Sequence, residues 1–285
     1  MGDGKMKYEF VKMQGCGNDY VYIDARKYDI EDPSALSVKI SDRHYGIGSD
    51  GLILVAPSEV ADGRMIMFNS DGSESEMCGN GIRCVGKFVH DIWGVKKDTL
   101  TIETKCGVKT LKMQIGPDGS AVGACVDMGK AILDPQQIPV DLPGEQIVDR
   151  EIKIGNETAK ITCVSMGNPH AVLFVRDVAH LNLEAVGPKF EHHPIFPKRV
   201  NTEFVEIIKP GLLRMRVWER GAGETWACGT GTCATVVAAC LNGYANKGED
   251  VRVILNGGEL VINYTDERVL MTGPAVISFT GEIEI

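Results

Sequence analysis

The chain repeats itself on the scale of a whole domain. The tetrapeptides Cys78-Gly79-Asn80-Gly81 and Cys228-Gly229-Thr230-Gly231 lie 150 residues apart in a chain of 285. The match extends without a gap when Arg64–Cys84 is aligned with Arg214–Ala234. Solenoid repeats have periods of roughly 20–50 residues, so a period this long is the size of a domain. The sequence therefore predicts two copies of one folding unit.

Both copies contain the same order of predicted elements. An alternating strand leads in, at Met65–Phe68 or Met215–Trp218, and a polar turn follows. After each Cys-Gly-x-Gly motif, apolar residues recur at helical spacing. Further along, Thr99–Met113 resembles Asp250–Tyr264, each being a strand, a turn and a returning strand. The predicted unit is of the α+β class.

Charge and cysteine content restrict the partners and the compartment. A net charge of −9 disfavours nucleic acid and anionic membranes, which need a basic face, and favours a small polar ligand. No stretch approaches the length of a membrane helix, and residues 1–20 lack the apolar core of a signal peptide, so we expect a cytoplasmic protein. The nine cysteines, an odd number in a large chain, are expected to be reduced.

The cysteine spacing predicts no metal site. Intervals of five residues between Cys78 and Cys84, and of four between Cys228 and Cys233, differ from the close pairs of structural zinc sites. Seven cysteines lie in apolar or strand-like surroundings, where a thiol is usually an inert small hydrophobe. They are Cys16, Cys84, Cys106, Cys125, Cys163, Cys233 and Cys240. The remaining two are candidates for chemistry.

Cys78 and Cys228 are both predicted to begin a helix. The positive end of a helix stabilises a thiolate, so we expect thiol pKa values below the usual range, and the first N–H groups can hold a carboxylate. One such motif alone is typical of a helix-capping turn. Two thiols facing one cleft could move a proton from one face of a carbon to the other, which is racemisation or epimerisation. No pyridoxal site is recognisable, and no cofactor is expected.

Further motifs are spread along nearly the whole chain. They are Gly15–Tyr20, Asp42–Gly51, Phe68–Ser73, Met77–Cys84, Met166–His170, Arg199–Asn201 and Trp218–Thr225, which runs into Ala227–Gly231. With these segments the chain resembles the diaminopimelate epimerase family, whose members interconvert LL- and meso-diaminopimelate without pyridoxal phosphate. The resemblance implies that Cys78 and Cys228 are the catalytic acid and base. It further implies that His170 and Glu219 handle protons for them.

The resemblance also implies a substrate site. The reacting carboxylate would be bound at the two helix ends by Gly79, Asn80, Gly229 and Thr230. The other side chains placed around the substrate are Asn18, Asn69, Asn168, Asn201, Glu219 and Arg220. The Arg220 guanidinium can fork onto a distal carboxylate, and Glu219 can accept a hydrogen bond from a substrate ammonium.

The implied architecture is two pseudo-symmetric domains, each a curved mixed sheet around a central helix, with the active site in the cleft between them. Residues 1–124 with the returning segment 274–285 would form one domain, and residues 125–273 the other. The family is usually dimeric, so a homodimer is expected. Two departures stand out: Gly51 replaces a Gln of some relatives, and Met1–Lys5 is an extension predicted to be a loose tail.

Three other functions are compatible with parts of this pattern. The first is racemisation of another amino acid, such as proline or histidine, on the same fold. Arg220 and the asparagines favour a substrate with a second carboxylate and ammonium, which proline lacks. The second is an amino-acid-binding protein, which has no need for two thiols. The third is a thiol-disulfide role, for which we expect only a reversible, inactive disulfide form.

Overall fold

The computed structural model describes residues 6–285, so the tail predicted for Met1–Lys5 lies outside the described residues. The chain divides into two compact units. The first unit extends to Val126 and also includes Gly273–Ile285, and the second unit is Asp127–Thr272. The boundaries predicted from the sequence, after residue 124 and before residue 274, fall within two residues of this division.

The first unit is built on a mixed sheet. Its strands are β1 (Lys7–Gly15), β2 (Asn18–Asp24), β3 (Gly51–Ala56), β4 (Gly63–Asn69), β5 (Glu74–Ser75), β6 (Thr99–Thr104), β7 (Gly107–Ile115), β8 (Ala121–Asp127) and β18 (Val276–Glu284). β1 pairs antiparallel with both β18 and β2. The pairs β2–β3 and β4–β6 are parallel, whereas β3–β4, β4–β5, β6–β7 and β7–β8 are antiparallel.

The second unit repeats this sheet. Its strands are β9 (Arg150–Ile154), β10 (Glu157–Ser165), β11 (Pro169–Phe174), β12 (Asn201–Lys209), β13 (Leu212–Glu219), β14 (Gly223–Thr225), β15 (Asp250–Leu255), β16 (Gly258–Tyr264) and β17 (Val269–Pro274). The pairs β11–β12 and β13–β15 are parallel and the others antiparallel, as in the first unit. β9 flanks β10 as β18 flanks β1. The predicted α+β class and the duplication are confirmed.

Each unit has one peripheral and one central helix. The helices are α1 (Pro33–Ser41), α2 (Gly79–Lys87, followed by a π-helical turn Phe88–Ile92), α3 (Leu183–Glu191) and α4 (Gly229–Leu241). Every residue of α2 is buried, and so is most of α4. A helix that is enclosed on all sides packs as the centre of its unit. No helix within residues 6–285 is long and apolar enough to cross a membrane.

The two units share one register. Val21 of β2 lies opposite Leu52 of β3. One repeat of 150 residues later, Ala171 of β11 lies opposite Thr202 of β12. The same offset relates the partners in β3–β4 and β12–β13. In this part of each unit, residues 150 positions apart therefore occupy equivalent places, and the two sites can be compared residue by residue.

The strand that follows the peripheral helix is buried on both faces. In β3, Leu52 and Leu54 pack in a core with Ile40 of α1, while Ile53 points the other way toward Gly81 of α2. Successive side chains of a strand alternate between its two faces, so a strand with a helix on each face is apolar throughout. This explains the uninterrupted apolar run of β3.

Gly51 has no room for a side chain. A Cβ atom at this position would lie 2.1 Å from the carbonyl oxygen of Phe68 and 2.9 Å from Cε1 of Tyr20. The close contact is with the backbone of the neighbouring strand, which cannot rotate away. The Gln found here in some relatives is therefore incompatible with this local backbone.

We expect Gly51→Ala to lower the free energy of unfolding by about 1–3 kcal/mol, because the added methyl overpacks the β3–β4 pair. Urea denaturation of the two proteins measures the difference. Gly116→Ala is the control, since its Cβ would lie 3.0 and 3.1 Å from side-chain atoms of Val122 and Asp118, and the nearest backbone atom, the Ser120 carbonyl oxygen, is 3.6 Å away. Equal losses at the two glycines would contradict this explanation.

One of the seven cysteines predicted to lie in apolar or strand-like surroundings does not. Cys106 is exposed in the turn between β6 and β7, with its Sγ 3.4 Å from Oε2 of Glu76. The adjacent Gly107, with a φ of 94°, marks this turn. The prediction for Cys106 was wrong because Lys105 and Cys106, the two residues before the glycine, form the turn.

Candidate active site

Two cysteines begin the two central helices. Cys78 has the extended backbone of an N-cap, and its Sγ accepts a hydrogen bond from the Gly81 N–H at 3.4 Å. Cys228 caps α4 in the same way, with its Sγ 3.3 Å from the Gly231 nitrogen. A side chain that accepts from the third residue of a helix satisfies one of its unpaired N–H groups. The prediction that both cysteines lie at helix N-termini is confirmed.

The second glycine of each motif allows close packing against the helix. A Cβ at Gly81 would lie 2.9 Å from Cδ1 of Ile53. A Cβ at Gly231 would lie 2.5 Å from Oε1 of Glu203 and 3.2 Å from Sγ of Cys228. Both motifs thus need glycine because a strand side chain occupies the space, but the occupying group is apolar in one unit and a carboxylate in the other.

The Cys78 thiol faces an amide oxygen. Its Sγ donates to Oδ1 of Asn18 at 3.2 Å, and the Asn18 Nδ2 donates to Oδ2 of Asp50 at 2.8 Å. Asp50 is itself held by the Arg43 guanidinium at 3.0 Å and by the Asp19 N–H at 3.1 Å. Because the carboxylate accepts only from the NH₂ side, it fixes the amide with its oxygen toward the thiol.

Below the first turn of α2 lies Arg83, a residue that the sequence reasoning missed. Its side chain is fully buried and donates to the Gly79 carbonyl and to Oδ1 of Asn80, both at 3.0 Å, and to the Pro274 carbonyl at 3.1 Å. The Asn80 side chain is therefore directed into the unit. The carboxylate-binding role predicted for Asn80 would fall to its backbone N–H. The signal available in the sequence was a cation flanked by the apolar residues Ile82, Cys84 and Val85 of a helix.

Asn69 is the last residue of β4 and lies opposite Gly51 in the sheet register. It is partly buried, and its Nδ2 donates to Oγ of Ser73 at 2.9 Å. Sheet pairing thus places Asn69 next to the strand that follows Asp50, the residue that orients Asn18.

The Cys228 thiol lies among carboxylates. Burial raises its pKa well above the usual range, and the negative charges of Glu219 and Glu203 raise it further. Hydrogen bonds from Thr230 and from the Gly231 N–H act in the opposite direction but do not prevail. The prediction of a lowered pKa was therefore wrong for Cys228, because the desolvation and the two carboxylates outweigh the helix end.

Glu219 is the last residue of β13 and interacts directly with Cys228. Burial raises the pKa of Glu219, whereas hydrogen bonds from Thr225 and the Cys228 thiol and the charge of His170 favour its ionised form. The structure thus brings together three of the residues predicted to handle protons, His170, Glu219 and Cys228. A carboxylate whose pKa is raised and which accepts a hydrogen bond from a thiol can exchange a proton with it.

His170 is completely buried between two acceptors. Its Nδ1 lies 2.7 Å from Oε1 of Glu203, and its Nε2 lies 2.9 Å from Oδ1 of Asn168. The two bonds fix both the plane and the direction of the ring. Glu203 was not predicted from the sequence. Its signal was an acidic residue inside the buried run that begins β12, where the other copy has Ile53.

Asn201 and Arg220 form a brace at the ends of β12 and β13. The Asn201 Nδ2 donates to the Pro169 carbonyl at 2.9 Å, and its Oδ1 accepts from the Arg220 N–H at 3.0 Å. The Arg220 side chain is exposed, with Nη1 3.1 Å from the Lys198 carbonyl. Asn201 thus holds the backbone from which the Arg220 guanidinium projects.

The fold has counterparts among solved structures. A PhzF-family phenazine biosynthesis protein from Bacillus anthracis superposes with a TM-score of 0.69 over 98% of this chain and 100% of its own, at 17% identity. This likeness defines the class: a two-unit α+β protein of the fold that PhzF-family proteins share.

Sequence comparison identifies the family. The model of the diaminopimelate epimerase family matches residues 10–133 and 162–278. Curated diaminopimelate epimerases from Desulfovibrio desulfuricans and Acetivibrio thermocellus are 54% and 52% identical to the chain, each over 97% of this chain and 98% of the relative. The chain belongs to the diaminopimelate epimerase family.

The environment of Cys228 predicts how its thiol ionises with pH, which can be measured. We expect this thiol to ionise above the usual range of cysteine, since its pKa is raised by burial and by Glu219 and Glu203. Glu219→Gln should lower the midpoint by about one pH unit, because it removes one of these charges. Cysteine labelled with ¹³C at Cβ reports the titration by NMR, with Cys228→Ser for assignment. A midpoint below neutral pH in the wild-type protein would contradict the assignment.

Proposed function

We propose that this protein interconverts LL- and meso-diaminopimelate, with Cys78 and Cys228 as acid and base and without a cofactor. The observation that carries the proposal is the duplication of a thiol-capped central helix in two units of one topology. Inverting a carbon requires one group to remove the proton from one face while another delivers a proton to the opposite face. Two equivalent thiols meet this requirement, and the named relatives support the substrate.

The raised pKa of Cys228 suits this chemistry. The α-proton of an amino acid is a very weak acid, so a thiolate of high basicity removes it more readily than one stabilised by a cation. As a thiol, Cys228 is conversely the proton donor for a carbanion formed by Cys78. Glu219, whose pKa is raised and which accepts a hydrogen bond from the Cys228 thiol, would receive or return the proton between turnovers.

The helix ends would bind the carboxylate next to the reacting carbon. The first N–H groups of a helix have no partner within the helix, and together with the helix dipole they attract an anion. In α2 these groups belong to Gly79 and Asn80, and in α4 to Gly229 and Thr230. Hydrogen bonds to the carboxylate would strengthen as charge develops on the α-carbon and spreads onto its oxygens.

The remaining polar residues would recognise the distal end of the substrate. Diaminopimelate carries a second carboxylate and a second ammonium. A guanidinium binds a carboxylate in a two-pronged geometry, which suits the exposed Arg220 on its Asn201 brace. Asn18, Asn69 and Asn168 would complete the hydrogen bonds. The expected cytoplasmic location and the homodimer stay predictions.

Deuterium incorporation tests the two-thiol mechanism. The reduced protein is incubated in D₂O with LL-diaminopimelate, and both the stereochemistry and the α-carbon deuterium are followed. We expect meso product that carries deuterium, because the proton delivered by the second thiol has exchanged with solvent. Cys78→Ala and Cys228→Ala should each abolish epimerisation, since either half of the proton transfer is then missing.

Cys106→Ala is the matched control, because this thiol is exposed in the turn between β6 and β7 and should not affect turnover. Epimerisation that persists in either Cys78→Ala or Cys228→Ala would refute the mechanism. No exchange in the wild-type protein would refute the substrate, and the same assay would then be repeated with other amino acids, beginning with histidine.

Arg220→Met tests recognition of the distal end. The variant should raise KM for diaminopimelate by about 10- to 150-fold, since loss of a charge-assisted two-pronged contact costs about 1.5–3 kcal/mol. The exposed Arg252→Met, whose guanidinium pairs with Glu259 on β16, is the control. An unchanged KM in the Arg220 variant would show that the guanidinium does not bind the second carboxylate.

A further inference from the structure

The two units differ most in charge around their thiols. Equivalent positions 150 residues apart pair Tyr20 with His170, Ile53 with Glu203, and Asn69 with Glu219. In the first unit this shell contains no carboxylate at these three positions, whereas in the second it contains two and an imidazole. The two units therefore share a backbone, but only the second has carboxylates and an imidazole at these three positions.

Glu203 is the fully buried carboxylate of that environment. It points from β12 toward α4, where its Oε1 lies 2.5 Å from the place that a Cβ of Gly231 would occupy, on the same side as the Cys228 Sγ. The same Oε1 bonds to Nδ1 of His170 at 2.7 Å. Its other oxygen, Oε2, is buried without a hydrogen-bond partner among the described residues.

Burying a carboxylate costs free energy, and the packing at this position does not require a charged side chain. The equivalent Ile53 fills the same space against Gly81 with an apolar side chain. A carboxylate with an unpartnered oxygen in a low-dielectric interior exerts its charge on whatever lies beside it. The neighbours on its helix-facing side are the Cys228 thiol and the ring of His170.

We propose that Glu203 is a positioning residue of the reaction, which anchors His170 through Nδ1 and holds a negative charge behind the Cys228 thiol without touching the substrate. The expected effect on turnover rests on the proposed epimerase function, whereas the geometry does not. The carboxylate thus has two roles. The anchor fixes which ring nitrogen faces Asn168, and the charge helps to keep Cys228 protonated between turnovers.

Two carboxylates and one helix end act on Cys228. Glu219 approaches from β13 and Glu203 from β12, where it bonds to His170 of β11, while the first turn of α4 supplies the Gly231 N–H. Glu219 is only partly buried and lies at a strand end, where a substrate ammonium could reach it. Glu203 is wholly buried, so its influence on the thiol would persist when a substrate is bound.

Two substitutions separate the two tasks. Glu203→Gln keeps the shape and an acceptor for His170 but removes the charge, so the Cys228 midpoint should fall by about one pH unit. Glu203→Asp keeps the charge but withdraws it by one methylene, so His170 should lose its anchor. The Cys228 titration is followed by ¹³C NMR as above, and ¹⁵N NMR of the imidazole reports the anchor. Glu206→Gln, also on β12 but partly exposed, is the control.

The outcomes are distinct. A lowered Cys228 midpoint in Glu203→Gln and an altered His170 Nδ1 signal in Glu203→Asp, with Glu206→Gln like wild type, would support the proposal. Turnover of diaminopimelate should then fall about tenfold in kcat with KM unchanged in Glu203→Gln. A Cys228 midpoint in Glu203→Gln equal to that of Glu206→Gln would overturn the proposal, whatever happens to turnover.

Failure of the proposed function would be recognised separately. If the wild-type protein does not epimerise diaminopimelate, the NMR titrations still decide the role of Glu203, because they need no substrate. If Glu203→Gln does not fold, Glu203→Asp alone tests the anchor: an unchanged Nδ1 signal of His170 in that variant would overturn the proposal.

Discussion

The hydrogen bond from a first-turn N–H to a cysteine sulfur is the interaction on which the site depends. It fixes each thiol at the positive end of a helix that is enclosed by its own sheet. The first N–H groups of a helix have no partner within the helix, and the sulfur supplies one for the third of them. The cap thus pairs one N–H group of the helix and fixes the position of the reactive sulfur. Glycine at the third position follows, because a strand side chain packs directly against that turn.

Because both units share this scaffold, the chemistry of each thiol depends on the side chains that pack behind its N-cap. Around Cys78 the neighbours are an amide oriented by a carboxylate and an isoleucine. Around Cys228 they are two carboxylates and a histidine. The negative charges of Glu219 and Glu203 favour the protonated sulfur of Cys228 and oppose the helix end. Equivalent backbones can therefore place their thiols in different surroundings.

Much of the fold was predictable because the duplication is visible in the sequence as a repeat. The offset of 150 residues holds for the motif, for the strands before it and for the peripheral helices α1 and α3. Helix starts at Cys78 and Cys228 follow from apolar spacing and from the need for a cap. The strand directions do not follow, since parallel and antiparallel pairing of buried strands require the same apolar residues.

Site residues were predictable where a motif marked them, and not where the tertiary contact defined them. The resemblance named His170 and Glu219, but Glu203 and Arg83 emerged only from packing, because a single charge in an apolar run does not show which groups it contacts. The pKa of Cys228 shows the same limit. The helix end is visible in sequence and favours the thiolate, whereas the carboxylates that oppose it come from β12 and β13, 25 and 9 residues before the cysteine.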